Sequence, residues 1–195
     1  LAMTLFFLGY TYLWLIDVTL FVEWNYLISL IAFLMIFLPA NRLWSIDALL
    51  NKTSKQTTTP QWMLYLLRFQ FAVVYFFGGI HKLNPDWLRG DLVAGWLDYG
   101  YELPFWGKVS SQSEILIQFL TFSAIGYDLF VIPLLLFKPT RKIALFFTIL
   151  FHTHNIIRYS VGVFHYLMIA GTFLYIEPTN FRNLLPKTKN AYTKH

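Results

Sequence analysis

The chain has 195 residues, of which 57% are hydrophobic, 20% aromatic and only 13% charged. Soluble domains carry about 25% charged residues, and a soluble core of this length cannot bury so many large apolar side chains. The mean hydropathy is +0.53. The chain has no cysteine, which excludes disulfides, thiolate metal sites and cysteine nucleophiles. This composition predicts an all-α, polytopic transmembrane bundle whose main partner is membrane lipid.

The net charge of +5 does not indicate a nucleic-acid partner, because the basic residues lie in loops between apolar stretches. Cytoplasmic loops of membrane proteins are enriched in Lys and Arg. Ten Lys and Arg residues, from Arg42 to Lys194, lie in one set of loops, whereas the other set holds four together with most of the acidic residues. We therefore predict an integral membrane protein, of the bacterial inner membrane, with the Lys82 loop facing the periplasm or a lumen.

Six apolar stretches approach the length of about 20 helical residues that crosses a hydrocarbon core. The last two share a turn near Arg158 and equally suit one broken helix or a re-entrant pair. Tryptophans and tyrosines of the 84–113 loop suit a segment lying at the membrane interface. We predict a transmembrane domain over residues 1–177 and a cytoplasmic-side tail or linker over 178–195. The six stretches are Leu1–Val22, Trp24–Ala40, Trp62–Leu83, Glu114–Phe137, Lys142–Tyr159 and Ser160–Ile176.

Two charged residues lie deep within the predicted spans. Arg68 precedes Lys82 by 14 residues and Asp128 follows Glu114 by the same interval, which is about 21 Å along a helix. If Lys82 and Glu114 mark the same membrane surface, Arg68 and Asp128 lie at one depth. Because an unpaired charge in a membrane is costly, we predict a structural Arg68–Asp128 ion pair.

A second polar group gathers nearer the outward surface. Helical spacing places Tyr75 and Lys82 on one stripe of the third stretch and His152 and Asn155 on one face of the fifth. His165 enters the sixth stretch from the same side, so these five side chains are expected to line one outward-opening cavity. The simpler interpretation is a snorkelling lysine and histidines that bond neighbouring helices. His152 and His154 are two residues apart on a helix, so their rings diverge by about 200°, and no metal site is predicted.

Four segments, in order along nearly the whole chain, resemble the vitamin K-dependent gamma-carboxylase family, whose bacterial members are called horizontally transferred transmembrane domain (HTTM) proteins. Two carry the resemblance most strongly: the third stretch with the turn that follows it, and the last two stretches. The matching residues are Leu67–Gln70, Val74–Phe76 and Gly79–Gly90; Phe151, His152, Asn155 and Ser160–Met168; Ala40, Asn41, Trp44–Asp47 and Leu49–Asn51; and Asp128 with Leu129.

The resemblance implies an enzyme that oxidises reduced vitamin K to its epoxide with O2 and uses that reaction to carboxylate glutamate with CO2. It implies that Lys82 is the base that deprotonates the hydroquinone, and a lysine held away from water is more readily neutral. The co-substrate would be reduced vitamin K, and the partner a glutamate-containing protein or peptide. The residues expected to bind the quinone are His81, Tyr75, Trp87, His152, Asn155 and His165.

The chain departs from the family pattern at several points. His81 stands where the animal enzymes carry a second lysine, and Arg42 stands where they carry a histidine. The family's first helices and its soluble, β-rich region have no counterpart in this sequence, so we expect a fragment of a longer protein. Three functions stay open: coupled epoxidation and carboxylation, quinone epoxidation alone, and a non-catalytic membrane scaffold or transporter subunit.

Overall fold

The computed structural model describes residues 1–39, 46, 50, 60–98, 102–103, 107–108, 113–158 and 162–177. Most of the third resemblance segment, the aromatic residues Tyr99, Tyr101 and Trp106, and the predicted tail lie outside the described residues. The helices are α1 (Ala2–Leu15), α2 (Glu23–Ile36), α3 (Gln61–His81), α4 (Pro85–Leu88), α5 (Asp91–Asp98), α6 (Glu114–Leu136), α7 (Arg141–Arg158) and α8 (Phe164–Phe173), with a 3-10 turn at Val18–Leu20. Two-residue strands β1 (Glu102–Leu103) and β2 (Gly107–Lys108) pair antiparallel.

The outside of the bundle is strongly apolar. Phe69 and Phe77 on α3 and Phe119 and Phe130 on α6 each leave more than 60% of their surface exposed. Water would disfavour such a surface, whereas hydrocarbon matches it. Among the described helices, α3 and α6 are long and apolar enough to cross a membrane, and α1, α2 and α8 are apolar but shorter. The helical fold is therefore confirmed, and the count of six spans is not.

Close helix contacts at small residues hold the centre of the bundle together. A Cβ atom built on Gly79 of α3 would lie 2.6 Å from Leu129 Cδ2 on α6, which is shorter than real Cβ contacts allow. A Cβ on Gly171 of α8 would overlap the ring of Phe71 on α3. Glycine thus lets α3 approach both neighbours, as small residues do in membrane helix packing. The core between these helices is completed by Leu27, Tyr75, Val131, Leu135, Ala144 and Met168.

Two short helices cover the extra length of α6. Helix α6 has 23 residues, and its first turns extend past the end of α3. There Ile117 packs with Trp87 of α4 and with Val93 and Leu97 of α5. This small cluster places α4 and α5 beside the end of α3, at the entrance to the polar region of the bundle.

Candidate active site

Lys82 and Asp128 form an ion pair near the end of α3. The Nζ atom of Lys82 donates a hydrogen bond to Oδ2 of Asp128, and the two side chains are only 18% and 9% exposed. A Cβ atom on Gly78 would lie 3.3 Å from the same carboxylate oxygen. Because Gly78 has no side chain, the carboxylate of Asp128 can lie against α3, one turn before Lys82.

The predicted ion pair between Arg68 and Asp128 is wrong, because Asp128 pairs with Lys82. Arg68 instead donates from Nε to the carbonyl oxygen of Leu174 at 2.8 Å, and Tyr175 donates its hydroxyl to the carbonyl of Arg68 at 2.6 Å. The prediction assumed that Lys82 and Glu114 lie at one depth. Because α6 extends beyond α3, Asp128 lies level with Gly78, ten residues or about 15 Å along the helix from Arg68.

The turn after Lys82 is built by local sequence signals. The side chain of Asn84 accepts hydrogen bonds from the backbone N–H groups of Asp86 and Trp87, at 3.0 and 3.1 Å, and Pro85 occupies the first helical position. An Asn cap followed by Pro is a favourable helix start. Gly90 has φ of +81°, in the left-handed region that glycine tolerates, and it separates α4 from α5.

This turn brings an indole over the ion pair. Trp87 is buried, and the Nζ atom of Lys82 lies 5.3 Å from the centroid of its ring, within cation–π range. Trp96 of α5 meets Trp87 edge to face at 5.4 Å between centroids. The two tryptophans form an apolar wall beside the charged pair.

A chain of hydrogen bonds runs across the bundle below the ion pair. The hydroxyl of Tyr75 lies 2.8 Å from Nε2 of His152 and 3.3 Å from the hydroxyl of Tyr127. Nδ1 of His152 lies 2.9 Å from Nδ1 of His165. Helices α6, α3, α7 and α8 each contribute one residue, so four elements must pack correctly to form it.

A cavity of about 1700 Å³ joins these features. Tyr75, Trp87, His152 and His165 lie in its wall together with Lys82 and Asp128, as do the exposed His81 and the half-buried Asn155. All seven candidate residues for catalysis and quinone binding therefore surround one space, whereas Arg68 lies outside its wall. Within the described residues, no three His, Asp or Glu side chains converge on a point that could hold a metal ion.

Sequence reasoning missed Tyr127. It stacks on Phe151 with a centroid separation of 4.3 Å, lines the cavity and bonds to Tyr75. The available signal was its position directly before Asp128 within an apolar stretch. Neighbouring residues on a helix point in different directions, so two polar residues in a row place one of them toward another helix.

The apolar exterior and the polar cluster in the wall of one cavity define a membrane-associated helical bundle. The chain belongs to the HTTM-domain family, because the family model for the HTTM domain matches residues 1–179. This domain is associated with vitamin K-dependent carboxylase, so the match confirms the family resemblance of the Lys82 and His152 segments. No solved structure matches the chain.

Proposed function

We propose that this protein binds a reduced quinone of the vitamin K type in the cavity and oxidises it to the epoxide, coupled to γ-carboxylation of glutamate. The observation that carries the proposal is the buried Lys82–Asp128 pair beneath Trp87, in the wall of a large apolar cavity. A lysine that served only as a membrane anchor would extend its amine into water. The 18% exposure of Lys82 and its carboxylate partner argue against that role.

The pair accepts the hydroquinone proton as a unit, because Lys82 and Asp128 share a hydrogen bond along which a proton can move. A charged pair consists of an ammonium and a carboxylate, so the carboxylate of Asp128 is the open acceptor. Alternatively, Lys82 passes its own proton to Asp128 and then takes the substrate proton as a neutral amine. Both routes end with an ammonium at Lys82 beside the quinol anion. That positive charge in a site of low dielectric stabilises the anion more strongly than it would in water.

The shape of the cavity suits a ring that carries a long apolar chain. Its wall follows α6 from Leu120 to Leu134, a rise of about 21 Å at 1.5 Å per residue. Lys82, Asp128 and His81 line one end of the cavity, whereas the end near Leu134 is lined by Ile143 and Phe147 of α7. Phe147 is 53% exposed on the outside of the bundle, so a lipid-soluble substrate has an apolar route between the bilayer and the site.

The test supplies the full-length protein in lipid nanodiscs with reduced vitamin K, a glutamate peptide and labelled bicarbonate. Wild type is compared with Lys82→Met and with Lys138→Met, a lysine on the bundle surface whose side chain is 76% exposed. We expect epoxide and labelled carboxylate from wild type and from Lys138→Met. We expect both products to fall by at least about 100-fold in Lys82→Met, the usual scale for losing a general base.

The remaining functions are the other outcomes of this test. Epoxide without labelled carboxylate would restrict the protein to quinone epoxidation. Neither product from folded wild type, including with a quinone of its host, would refute the enzyme and leave the scaffold or transporter subunit. Lys82→Arg separates the two proton routes, because a guanidinium keeps the charge beside Asp128 but cannot be deprotonated. Retained epoxidation in Lys82→Arg would identify Asp128 as the acceptor, and its loss would identify Lys82.

A further inference from the structure

A hydroquinone has two hydroxyl groups, and the Lys82–Asp128 pair accounts for the proton of one. In the coupled reaction, a hydroquinone, O2, CO2 and the γ C–H group of glutamate give the epoxide, one water, the new carboxylate and one proton, and both phenolic O–H bonds break. One proton must therefore leave the cavity, and the second hydroxyl proton needs an acceptor other than the Lys82–Asp128 pair. Tyr75 lies seven residues before Lys82 on α3, and one turn before Gly78, which is level with the carboxylate of Asp128. Its hydroxyl is thus about 5 Å deeper along the helix than the pair.

We infer that Tyr75, His152 and His165 form a proton path that takes the second hydroxyl proton from the cavity and delivers it at the start of α8. This inference rests on the proposed function, since the quinol supplies the proton. The path uses both ring nitrogens of His152, with Nε2 facing Tyr75 at 2.8 Å and Nδ1 facing His165 at 2.9 Å. Both distances lie within the range of direct hydrogen bonds.

The nitrogen-to-nitrogen contact gives the path two alternative arrangements of its protons. A neutral imidazole carries one N–H and one acceptor nitrogen, so one proton lies between the two Nδ1 atoms. When His152 holds that proton, its Nε2 accepts from the hydroxyl of Tyr75. When His165 holds it, the Nε2–H of His152 donates to the oxygen of Tyr75. The two arrangements differ by the passage of one proton along the whole chain.

The transfer balances atom by atom. Tyr75 accepts the quinol proton at its oxygen and gives its own proton to Nε2 of His152. His152 releases its Nδ1 proton to Nδ1 of His165, and His165 then releases the proton on its Nε2. One proton enters from the cavity and one leaves, and the chain ends in the opposite arrangement. The chain returns to the first arrangement when His152 moves its proton from Nε2 to Nδ1 and His165 moves its proton from Nδ1 to Nε2.

The outlet lies at the right place for proton release. His165 is the second residue of α8 and is itself buried, with 7% exposure. The turn directly before it is open, because Gly162 is exposed and Val163 leaves 53% of its surface accessible. The path therefore ends at a residue that lies two positions after an exposed turn, and it does not involve Lys82.

The test measures epoxide formation by full-length protein in nanodiscs at saturating quinol, for His165→Phe and Tyr75→Phe. Matched controls are Tyr166→Phe, which changes the exposed neighbour of His165, and Tyr65→Phe, an exposed tyrosine of the same helix as Tyr75. We expect turnover to fall by about 10-fold to 100-fold in both path variants. Added imidazole is expected to restore turnover in His165→Ala, where the shortened side chain leaves space for it, and a purely structural role would not allow this.

Three results would overturn the path: unchanged turnover in His165→Phe, a loss in His165→Ala that imidazole does not restore, or an equal loss in Tyr166→Phe. Wild type that makes no epoxide at all would refute the proposed function instead, so the two failures are distinct. Nitrogen-15 spectra of labelled histidines supply a measurement independent of turnover. They are expected to show one protonated and one unprotonated Nδ1 for His152 and His165, and two unprotonated Nδ1 atoms would refute the path even in an active enzyme.

Discussion

The ion pair between Lys82 and Asp128 makes a quantitative prediction about stability. Replacing Asp128 with Asn leaves an ammonium in a pocket where the lysine side chain is 18% exposed, and replacing Lys82 with Met leaves a carboxylate that is 9% exposed. Removal of one partner from a buried pair costs about 3–5 kcal/mol, because the remaining charge loses its compensation. Removal of both partners eliminates this penalty. The double variant is therefore expected to be more stable than either single variant.

The assay is a thermal one at a fixed heating rate, since membrane proteins often unfold irreversibly. For a chain of 150–250 residues, 1 kcal/mol corresponds to about 2–4 °C in Tm. Each single variant is thus expected to lose roughly 6–20 °C, measured as the midpoint at which monodisperse protein disappears. Lys138→Met is the control, because an exposed ion pair contributes at most about 1 kcal/mol.

One result would contradict an energetic interaction between Lys82 and Asp128. If the losses in Lys82→Met and Asp128→Asn add up in the double variant, the two side chains do not interact energetically. Lys82 would then not be the structural partner of Asp128, and the two side chains would not act together as a proton acceptor. A double variant that recovers stability but makes no epoxide would show that the loss of activity in Lys82→Met is chemical and not caused by unfolding.

Two further predictions concern packing and surface charge. Gly79→Ala is expected to cost about 1–3 kcal/mol in thermal stability, because its Cβ would meet Leu129 Cδ2 at 2.6 Å. The control is Gly9→Ala, whose Cβ would have nothing within 4 Å and which is expected to lose no stability. Equal unfolding midpoints in the two variants would contradict the close contact of α3 and α6. The hydrogen bond from Lys138 holds the pKa of Glu177 below its usual value of 4.5. A lowered pKa stabilises the fold above that range and loses the effect as the pH falls through it, so Glu177→Gln is expected to melt slightly lower than wild type at pH 7, and the difference is expected to disappear as the pH falls below the pKa of Glu177.

Much of the fold and of the candidate site could be predicted from local sequence. Long apolar stretches interrupted by charged loops indicate helices in lipid whatever their neighbours are, because each apolar residue has the same preference independently. The Asn84–Pro85 start and Gly90 determine the turn after α3 by local hydrogen bonding and backbone freedom. Helical spacing also predicted that Tyr75, Lys82 and His152 line one cavity, since rise per residue is nearly constant.

The partners of the polar groups were decided by the tertiary structure alone. The offset between α3 and α6 is set by how Gly79 packs on Leu129 and by the short helices that cover the first turns of α6. That offset pairs Asp128 with Lys82 in place of Arg68, and it brings Tyr127 to Tyr75. Periodicity gives each residue a face and a height on its own helix, but the sliding of one helix along another depends on contacts between residues far apart in the chain.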